Sequence, residues 1–345
     1  MAQALAIKYR PTRFEDLTEQ GAVVTILTNQ IETATIKHGY LFCGGAGTGK
    51  TTSARIFASM INGSKGVPIE LDAASNNSVD DIRKLCEDAQ TQAIDCDFKV
   101  FILDEVHVLS SQAWQALLKT LEEPPSKSIF ILCTTNPEKI PQTILSRVQR
   151  YNFQRISQEG IVSRLRYILD AEHKLPGGEK IVWYDDALEY IAKIADGGMR
   201  DAITLMDKCL SFSTTLSLFN VVKALGVANY ADMFELNDAV FMRNAKDIIN
   251  KVSEIYKSGM DLKLFIRTYF EFILDLNIYR ITSSLDNTKI PQNWVEKITT
   301  YHEHEWDVVD RLLEFTCELN HDIKWEQNTK ELIIAKFILF LSKED

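Results

Sequence analysis

The feature that most constrains this chain is a glycine-rich run that ends in lysine and threonine. Residues 44–51 read Gly-Gly-Ala-Gly-Thr-Gly-Lys-Thr and match the phosphate-loop pattern G-x-x-x-x-G-K-[ST] at every fixed position. An apolar strand candidate, Tyr40–Cys43, precedes the run, and a helical segment, Thr51–Ile61, follows it. Glycines let successive backbone N–H groups point at one anion, and the helix adds its positive end. The run therefore predicts a nucleotide phosphate site rather than an ordinary glycine-rich turn.

An acidic pair downstream indicates an ATPase. Asp104 and Glu105 come directly after the apolar run Val100–Leu103, which reads as a buried parallel strand. The carboxyl end of such a strand lies beside the phosphate loop in a doubly wound sheet. There Lys50 would reach the β- and γ-phosphates, and the Thr51 hydroxyl and Asp104 would hold Mg²⁺. Glu105 would polarise the attacking water as a base; the alternative, that the pair only caps the next helix, is disfavoured by the phosphate loop upstream.

Composition and charge limit the class of protein and its partners. At 345 residues, with 46% hydrophobic and 25% charged residues, the chain resembles an ordinary soluble protein of two or three domains. The apolar run Leu332–Leu341 is too short to cross a bilayer, which takes roughly 20 residues, so we expect a cytoplasmic protein without membrane contact. A net charge of −10 means that any DNA contact is local or shared among subunits. Six scattered cysteines without a C-x-x-C pair predict neither zinc nor a disulfide framework.

Strand and helix candidates alternate in the first part of the chain, which predicts an α/β fold with a parallel sheet. The expected strands are Tyr40–Cys43, Pro68–Leu71, Lys99–Leu103, Ser128–Cys133 and Tyr151–Phe153. The expected helices between them are Thr51–Ile61, Val79–Gln92, Ser111–Glu122 and Pro141–Leu145. After Ser157 the pattern is wholly helical, with late helices at Asn244–Lys257, Asp261–Arg280, Asp307–Leu319 and Lys330–Ser342. We therefore predict an α/β domain at 1–156 and two helical domains, at 157–226 and 227–345.

Two arginines and one polar strand end are candidates for phosphate contact. Arg147 lies just before the last strand candidate, and Arg200 lies at the start of a helix. A surface position is the commonest fate of arginine, but a positive charge from the same or a neighbouring subunit accelerates phosphoryl transfer. Thr135 and Asn136 follow the strand beside Asp104 and could orient the attacking water or sense the γ-phosphate. An ordinary strand-to-loop transition explains these two residues about equally well.

Several motifs, in this order, resemble the clamp-loader family of AAA+ ATPases, and within it the gamma/tau branch of bacterial DNA polymerase III. They are residues 8–17, the phosphate loop, 70–75, 104–107, 117–125, 134–137, 144–147 and 198–202. The string Leu-Leu-Lys-Thr-Leu-Glu-Glu-Pro-Pro at 117–125 is much more specific than a phosphate loop, which many unrelated ATPases share. The clear resemblance covers about the first two thirds of the chain, and residues 318–341 resemble the end of the family's helical collar more weakly.

The resemblance implies a fold and a role for each matching residue. An AAA+ domain would be followed by a helical lid at 157–226 and a collar at 227–345. Tyr9, Arg10 and Pro11 would border the adenine pocket. Thr135 would be the first sensor, with Asn136 beside it. Arg147 would reach into the next subunit's site, and Arg200 would be the second sensor, acting in cis. The phosphates would be cradled by Gly44, Gly45, Ala46, Gly47, Thr48, Gly49, Lys50, Thr51 and Thr52.

The resemblance also implies an activity and partners. ATP and Mg²⁺ would assemble a ring-like pentamer of loader subunits, of one or several kinds, which opens a sliding clamp. Hydrolysis on primed DNA would release the clamp. Residues at two helix starts are candidates for contact with the DNA backbone: Asn76, Asn77, Ser78, Arg83, Ser110, Ser111 and Gln112. Plain helix capping explains each of these residues at least as well.

The sequence differs from the family pattern in three respects. The usual four-cysteine zinc module is replaced by the short stretch 62–67 without cysteine, so no zinc is expected. The usual Ser-Arg-Cys is Ser146-Arg147-Val148, which keeps the arginine. We expect the longer form's extension after the collar to be absent, and a short zinc-free form would suit a phage-encoded or strongly diverged loader. Another AAA+ remodeller and a non-hydrolysing loader subunit remain as alternatives, whereas a helicase would need a second motor domain.

Overall fold

A computed structural model describes residues 3–91, 93, 95–174, 180–225, 230–324, 326 and 328–342. The described chain divides into two compact units. The first unit comprises residues up to 181 together with 191–207, and the second comprises 182–190 and the residues from 208 onward. The predicted three-domain division stays a prediction, and its boundary at 226/227 lies outside the described residues.

The first unit is built on a five-stranded sheet, and the pairs between its strands are all parallel. The order across the sheet is β2-β3-β4-β1-β5. The strands are β1 (Gly39–Cys43), β2 (Ile69–Asp72), β3 (Lys99–Asp104), β4 (Ser128–Thr134) and β5 (Gln149–Asn152). Because β1 sits beside β4 and β3 sits beyond it, the phosphate loop and the acidic pair leave the same edge of the sheet.

Helices cover both faces of this sheet. They are α1 (Leu5–Lys8), α2 (Gly21–Glu32), α3 (Lys50–Ile61), α4 (Val79–Ala89), α5 (Ser111–Glu122), α6 (Gln142–Leu145) and α7 (Gln158–His173). Successive strand residues point to opposite faces, so Phe42 packs with α2 and α3, whereas Leu41 packs with α4, α5 and α6. Both faces of β1 and β4 are buried, which is why these strands read as continuous apolar runs rather than as alternating ones.

The remaining chain is almost entirely helical. Its helices are α8 (Asp185–Ile194), α9 (Met199–Phe212), α10 (Leu218–Leu225), α11 (Tyr230–Phe241), α12 (Ala245–Lys257), α13 (Leu262–Thr282), α14 (Val295–Thr299), α15 (Glu303–Asp322) and α16 (Thr329–Ser342). In the second unit α13 packs on α15, and α12 packs on α11 and α16. Fully buried aromatic rings hold this bundle together, among them Phe234, Tyr269, Phe272 and Phe337. Within the described residues no helix is both long and apolar enough to cross a membrane.

The structure confirms the predicted parallel sheet, with every strand end within two residues of its expected position. The expectation of a wholly helical chain after Ser157 was wrong, because Val182–Trp183 (β6) pairs in parallel with Thr215–Leu216 (β7). Two residues are too few to produce a detectable alternation. Helix α4 ends at Ala89, before the expected end at Gln92, which lies outside the described residues. Helix α2 was not predicted, because Gln20 at its start makes no side-chain cap.

Candidate active site

The phosphate loop includes positions at which the backbone strongly favours glycine. Gly47 and Gly49 have φ angles of 69° and 100°, in the left-handed region. A Cβ atom on Gly47 would lie 3.1 Å from the Cα atom of Gly198, so the loop touches the start of α9 backbone to backbone. The N–H of Met199 donates to the carbonyl of Gly47 at 3.1 Å. The loop is therefore held in its curved shape from the side of α9 as well as by its own glycines.

Lys50 and Thr51 begin α3 directly after the loop. Lys50 is buried, and its Nζ atom donates to the carbonyls of Gly44 at 2.9 Å and Gly45 at 2.7 Å. The hydroxyl of Thr51 donates to Oδ2 of Asp104 at 2.6 Å. Asp104 ends β3, two strands away from β1, so its contact with Thr51 brings both motifs to one point. Hydroxyl and carboxylate oxygens are the ligands that Mg²⁺ prefers, and this pair fits that ion.

Glu105 is set apart from Asp104 by a turn in the backbone. Its φ angle of 48° is unusual for a residue with a side chain and turns the carboxylate toward the end of β4. There its Oε2 accepts a hydrogen bond from the hydroxyl of Thr135 at 3.0 Å. Nδ1 of His107 lies 3.2 Å from the same oxygen and 3.3 Å from the hydroxyl of Thr134. The sequence analysis gave His107 no role, although it is the last residue of the Asp-Glu-Val-His string.

Most of the predicted nucleotide-binding residues line one cleft in the first unit. They are Tyr9, Arg10, Pro11, Ala46, Gly47, Thr48, Gly49, Lys50, Thr51, Thr52, Asp104, Glu105 and Arg200. The side chains of Thr135 and Asn136 do not line the cleft. The hydroxyl of Thr135 lies 3.0 Å from Oδ1 of Asn136. Several lining residues had no role in the sequence analysis: Asp16, Leu17, Thr18, Ile156, Arg164, Met199 and Ile203. Asp16, Leu17 and Met199 lie in motifs that carry the family resemblance, whereas Thr18, Ile156, Arg164 and Ile203 lie outside every motif.

Positive charge gathers in the cleft around the acidic residues. Lys50, Arg10, Arg164 and Arg200 all line it, together with Asp104 and Glu105. Burial lowers the pKa of Arg10, and the neighbouring guanidinium groups of Arg55 and Arg200 act in the same direction. Like charges gathered in this way are stabilised by an anionic ligand, so the cleft suits a polyphosphate.

Arg147 does not line the cleft. It follows α6, and its Nη2 atom donates to Oε1 of Glu122 at 2.5 Å, while Nη1 donates to the carbonyl of Thr143 at 2.6 Å. The side chain is one-third exposed. An arginine in this position cannot serve the nucleotide site of its own subunit without leaving Glu122, and its predicted action on a neighbouring subunit stays a prediction.

The residues predicted to contact DNA lie at two exposed helix starts. Ser78 caps α4 by accepting from the N–H of Asp81, and Ser110 caps α5 by accepting from the N–H of Ala113. Among the other candidates, Asn76 donates to the carbonyl of Asp72, and Arg83 pairs with Asp80. The remaining candidates, Asn77, Ser111 and Gln112, are exposed. Both serines thus have the capping role that was the alternative interpretation. Capping leaves the other N–H groups of each first turn available, and DNA contact stays a prediction.

Three family models match successive parts of the chain. Residues 68–157 match the model described as DNA polymerase III, delta subunit. Residues 160–215 match the DNA polymerase III clamp loader subunit, ATPase lid domain, and residues 216–324 match domain III of DNA polymerase III subunits gamma and tau.

Curated relatives give the same family. DNA polymerase III subunit gamma of Buchnera aphidicola subsp. Acyrthosiphon pisum is 35% identical over 323 residues, which are 86% of this chain and 84% of the relative. The tau subunit of Bacillus subtilis is 38% identical over 306 residues, or 82% of this chain and 53% of the relative. The gamma/tau subunit of Mycoplasma pneumoniae is 33% identical over 336 residues, or 91% and 48%. The chain thus spans about half the length of the last two relatives.

A solved structure supports the fold independently. The RuvB Holliday junction branch migration motor of Thermotoga maritima aligns with a TM-score of 0.50 over 67% of this chain and 79% of that one, at 20% identity. A likeness at that identity supports the AAA+ fold alone. Together with the Buchnera relative, which matches over most of both chains, the findings confirm the resemblance seen in the motifs. This chain belongs to the gamma/tau family of DNA polymerase III clamp-loader subunits.

Proposed function

We propose that the chain is an ATP-hydrolysing clamp-loader subunit that works in a ring-like oligomer. With its partner subunits it would open a sliding clamp and load the clamp onto primed DNA for replication. The observation that carries the proposal is the contact between Thr51 and Asp104, at 2.6 Å, in a cleft that also contains Lys50 and Glu105. Family membership points to ATP hydrolysis coupled to clamp loading, and this cleft contains the side chains that ATP hydrolysis needs.

The described side chains divide the work of hydrolysis among them. Lys50 would exchange its two carbonyl partners for phosphate oxygens, because a buried ammonium gains more from a charged acceptor than from a neutral one. Thr51 and Asp104 would hold Mg²⁺, which supplies charge neutralisation for the phosphates when it is bound. Glu105 would act as the base for the attacking water, and Thr135, whose hydroxyl donates to Glu105, would sense the γ-phosphate. Arg200, in the same cleft, would add positive charge in cis.

The neighbouring subunit would supply the remaining charge. Arg147 lies outside its own cleft with a partly exposed guanidinium group, which suits an arginine that acts across an interface. In a pentamer of identical or different loader subunits, each site would then be completed by the next chain. Turnover by the isolated chain is therefore expected to be low.

Further partners and the location follow from the same family. We infer that the sliding clamp and primer–template DNA bind the assembled ring, with the helix starts at 76–83 and 110–112 as candidates for DNA contact. The named relatives are subunits of a bacterial DNA polymerase, so we infer a cytoplasmic protein that uses ATP and Mg²⁺. The absence of zinc stays a prediction, and the bacterial relatives give no support to a phage origin.

The test is steady-state ATP hydrolysis by the wild type and by Arg147→Ala. Each protein is assayed alone and then with the cognate partner subunits, clamp and primer–template DNA. We expect low basal turnover, strong stimulation by clamp and DNA together, and loss of the stimulation in the variant. Turnover that ignores clamp and DNA would favour another AAA+ DNA-remodelling ATPase. No hydrolysis under any condition would favour a structural, non-hydrolysing loader subunit, against which the presence of Lys50, Thr51, Asp104 and Glu105 argues.

A further inference from the structure

One wall of the cleft is fastened to α7 by contacts that include the carboxylate of Glu172. This wall is the segment 5–11, of which Ala6, Tyr9, Arg10 and Pro11 line the cleft. We propose that Glu172 is a positioning residue for nucleotide binding, because it fastens this segment to α7 and so keeps the wall in its binding shape. The proposal rests on the proposed function only in that it requires the cleft to bind an adenine nucleotide.

Three contacts join two consecutive residues of the segment to α7. Nζ of Lys8 donates to Oε1 of Glu172 at 2.6 Å, and the side chain of Tyr9 interacts with the same carboxylate. Nη2 of Arg164, two turns earlier on α7, donates to the carbonyl of Tyr9 at 3.1 Å. Glu172 therefore interacts with two consecutive side chains of the segment, and Arg164 holds the main chain of Tyr9.

The carboxylate is well suited to this role because it is partly shielded from water. The Glu172 side chain is 17% exposed, about half the exposure of its partner Lys8 at 36%. Burial, aided by the hydrogen bond to Glu172, raises the pKa of Tyr9 to about 12. Burial disfavours the charged form of Glu172, yet the hydrogen bonds from Lys8 and Tyr9 lower its pKa. The carboxylate of Glu172 thus stays ionised at neutral pH, and the Tyr9 hydroxyl stays protonated.

Segment 5–11 has little capacity to hold its own shape. Its helix α1 is a single turn of four residues, and helices that short are unstable without tertiary contacts. The contacts that anchor it are the Leu5 side chain, which is buried, the bond from the N–H of Leu5 to Asp207, and the three contacts to α7. Leu5 lies before the lining residues, so the contacts to α7 are the ones that fix Tyr9, Arg10 and Pro11.

Loss of Glu172 should therefore weaken nucleotide binding without touching the phosphate loop. If the wall keeps its binding shape only one tenth of the time, the apparent dissociation constant rises about tenfold, because only that fraction can bind. The groups that act on the phosphates remain in place. We expect a higher KM for ATP with a kcat within about twofold of the wild type, since the lost contact acts equally on ground state and transition state.

The experiment is equilibrium binding of MANT-ADP and of ATPγS, with Mg²⁺, to the full chain. The variants are Glu172→Gln, Glu172→Ala and the charge exchange Lys8→Glu with Glu172→Lys, together with its two single changes. Glu159→Gln, at the opposite end of α7, is the matched control. We expect the dissociation constant to rise about threefold in Glu172→Gln and about tenfold in Glu172→Ala. The charge exchange should recover part of the loss relative to either single change, as coupled residues do in a double-mutant cycle.

Hydrogen exchange of residues 5–11 in the nucleotide-free protein provides a readout that does not depend on binding. We expect faster exchange in Glu172→Ala than in the wild type, confined to this segment. A dissociation constant within twofold of the wild type in Glu172→Ala would overturn the proposal. An equal loss in Glu159→Gln would also overturn it, because it would indicate a general loss of stability. A wild type that binds neither nucleotide would instead overturn the proposed function, so the two failures are distinguishable.

Discussion

The guanidinium group of Arg147 donates to the carboxylate of Glu122 at 2.5 Å, which joins the end of α6 to the end of α5. Glu122 belongs to the Leu-Glu-Glu-Pro-Pro string, so the ion pair with Arg147 gives one residue of this string a structural role that the sequence alone does not indicate. One residue of the string sets the direction in which an arginine outside the cleft points. A side chain held in this way loses less conformational freedom when it engages a second subunit.

Glu122→Gln tests this relation in the assembled loader. We expect the ATPase rate stimulated by clamp and DNA to fall about three- to tenfold, because the charge that Arg147 is proposed to supply to the neighbouring site is less well positioned but not removed. Stability of the isolated chain should change by less than about 1 kcal/mol, since both side chains are a third or more exposed. The control is Glu123→Gln, at the neighbouring exposed position. Wild-type stimulation in Glu122→Gln, alongside its loss in Arg147→Ala, would show that the ion pair has no positioning role.

Thr51→Val removes the hydroxyl that donates to Asp104 and keeps the shape of the side chain. We expect ATP turnover at saturating Mg²⁺ to fall by at least about tenfold, because the proposed Mg²⁺ site would lose a ligand and the bound ion contributes several kcal/mol of charge stabilisation. Thr51→Ser retains the hydroxyl and should stay within a few fold of the wild type. Turnover is measured over a Mg²⁺ titration. Equal behaviour of the valine and serine variants would exclude the hydroxyl as a ligand.

Phe101→Ala tests the core beneath the acidic pair. Phe101 and Phe130 are fully buried on neighbouring strands, with ring centroids 5.2 Å apart. Removing the ring should lower the free energy of unfolding of the first unit by about 3–5 kcal/mol, through lost burial and the cavity left behind. Val67→Ala, at a side chain that is 88% exposed, is the control and should change it by less than about 0.5 kcal/mol. Urea unfolding followed by circular dichroism gives both values, and equal midpoints would contradict the packing described above.

Alkaline pH should loosen the segment that contains Tyr9. The pKa of Tyr9 is raised from 10.0 to about 12 in the folded chain, chiefly by burial and then by the bond to Glu172. Between these values the folded state binds the proton more tightly than the unfolded state, so this contribution to stability is complete below pH 10 and is lost as pH rises through 12. Because Tyr9→Phe lacks the group, the difference in stability between wild type and variant should shrink over that range. A difference independent of pH would contradict the raised pKa of Tyr9.

The parts of the site that could be predicted from sequence are those that local patterns encode. The phosphate loop joins strand to helix within eight residues, and Asp104 and Glu105 follow directly on the strand that positions them. Both motifs could be recognised because their chemistry requires fixed spacing. The structure brings them to one cleft because parallel strands present their carboxyl ends at one edge of the sheet.

The parts that could not be predicted depend on contacts between distant residues. Glu172 lies 164 positions from Lys8, and Arg164 lies 155 positions from Tyr9, so no window of sequence contains either pair. Glu122 and Arg147 are 25 positions apart and on different elements. His107 was within reach of sequence reasoning, but its contact with Glu105 depends on the left-handed backbone of Glu105. The position of each partner is fixed by tertiary packing, which residue periodicity does not encode.

The approach of Gly47 to Gly198 limits how the loop can respond to what it binds. A Cβ atom on Gly198 would lie 3.2 Å from the carbonyl oxygen of Ala46, and the reciprocal atom on Gly47 would lie 3.1 Å from Gly198. Because neither glycine has a side chain to separate the two backbones, a change in the orientation of the Gly47 peptide must either break its hydrogen bond to Met199 or move the first turn of α9. Arg200 is the next residue in that turn. A reorientation of the Gly47 peptide that kept this bond would therefore move the start of α9 and with it Arg200, which lies 153 positions further along the chain.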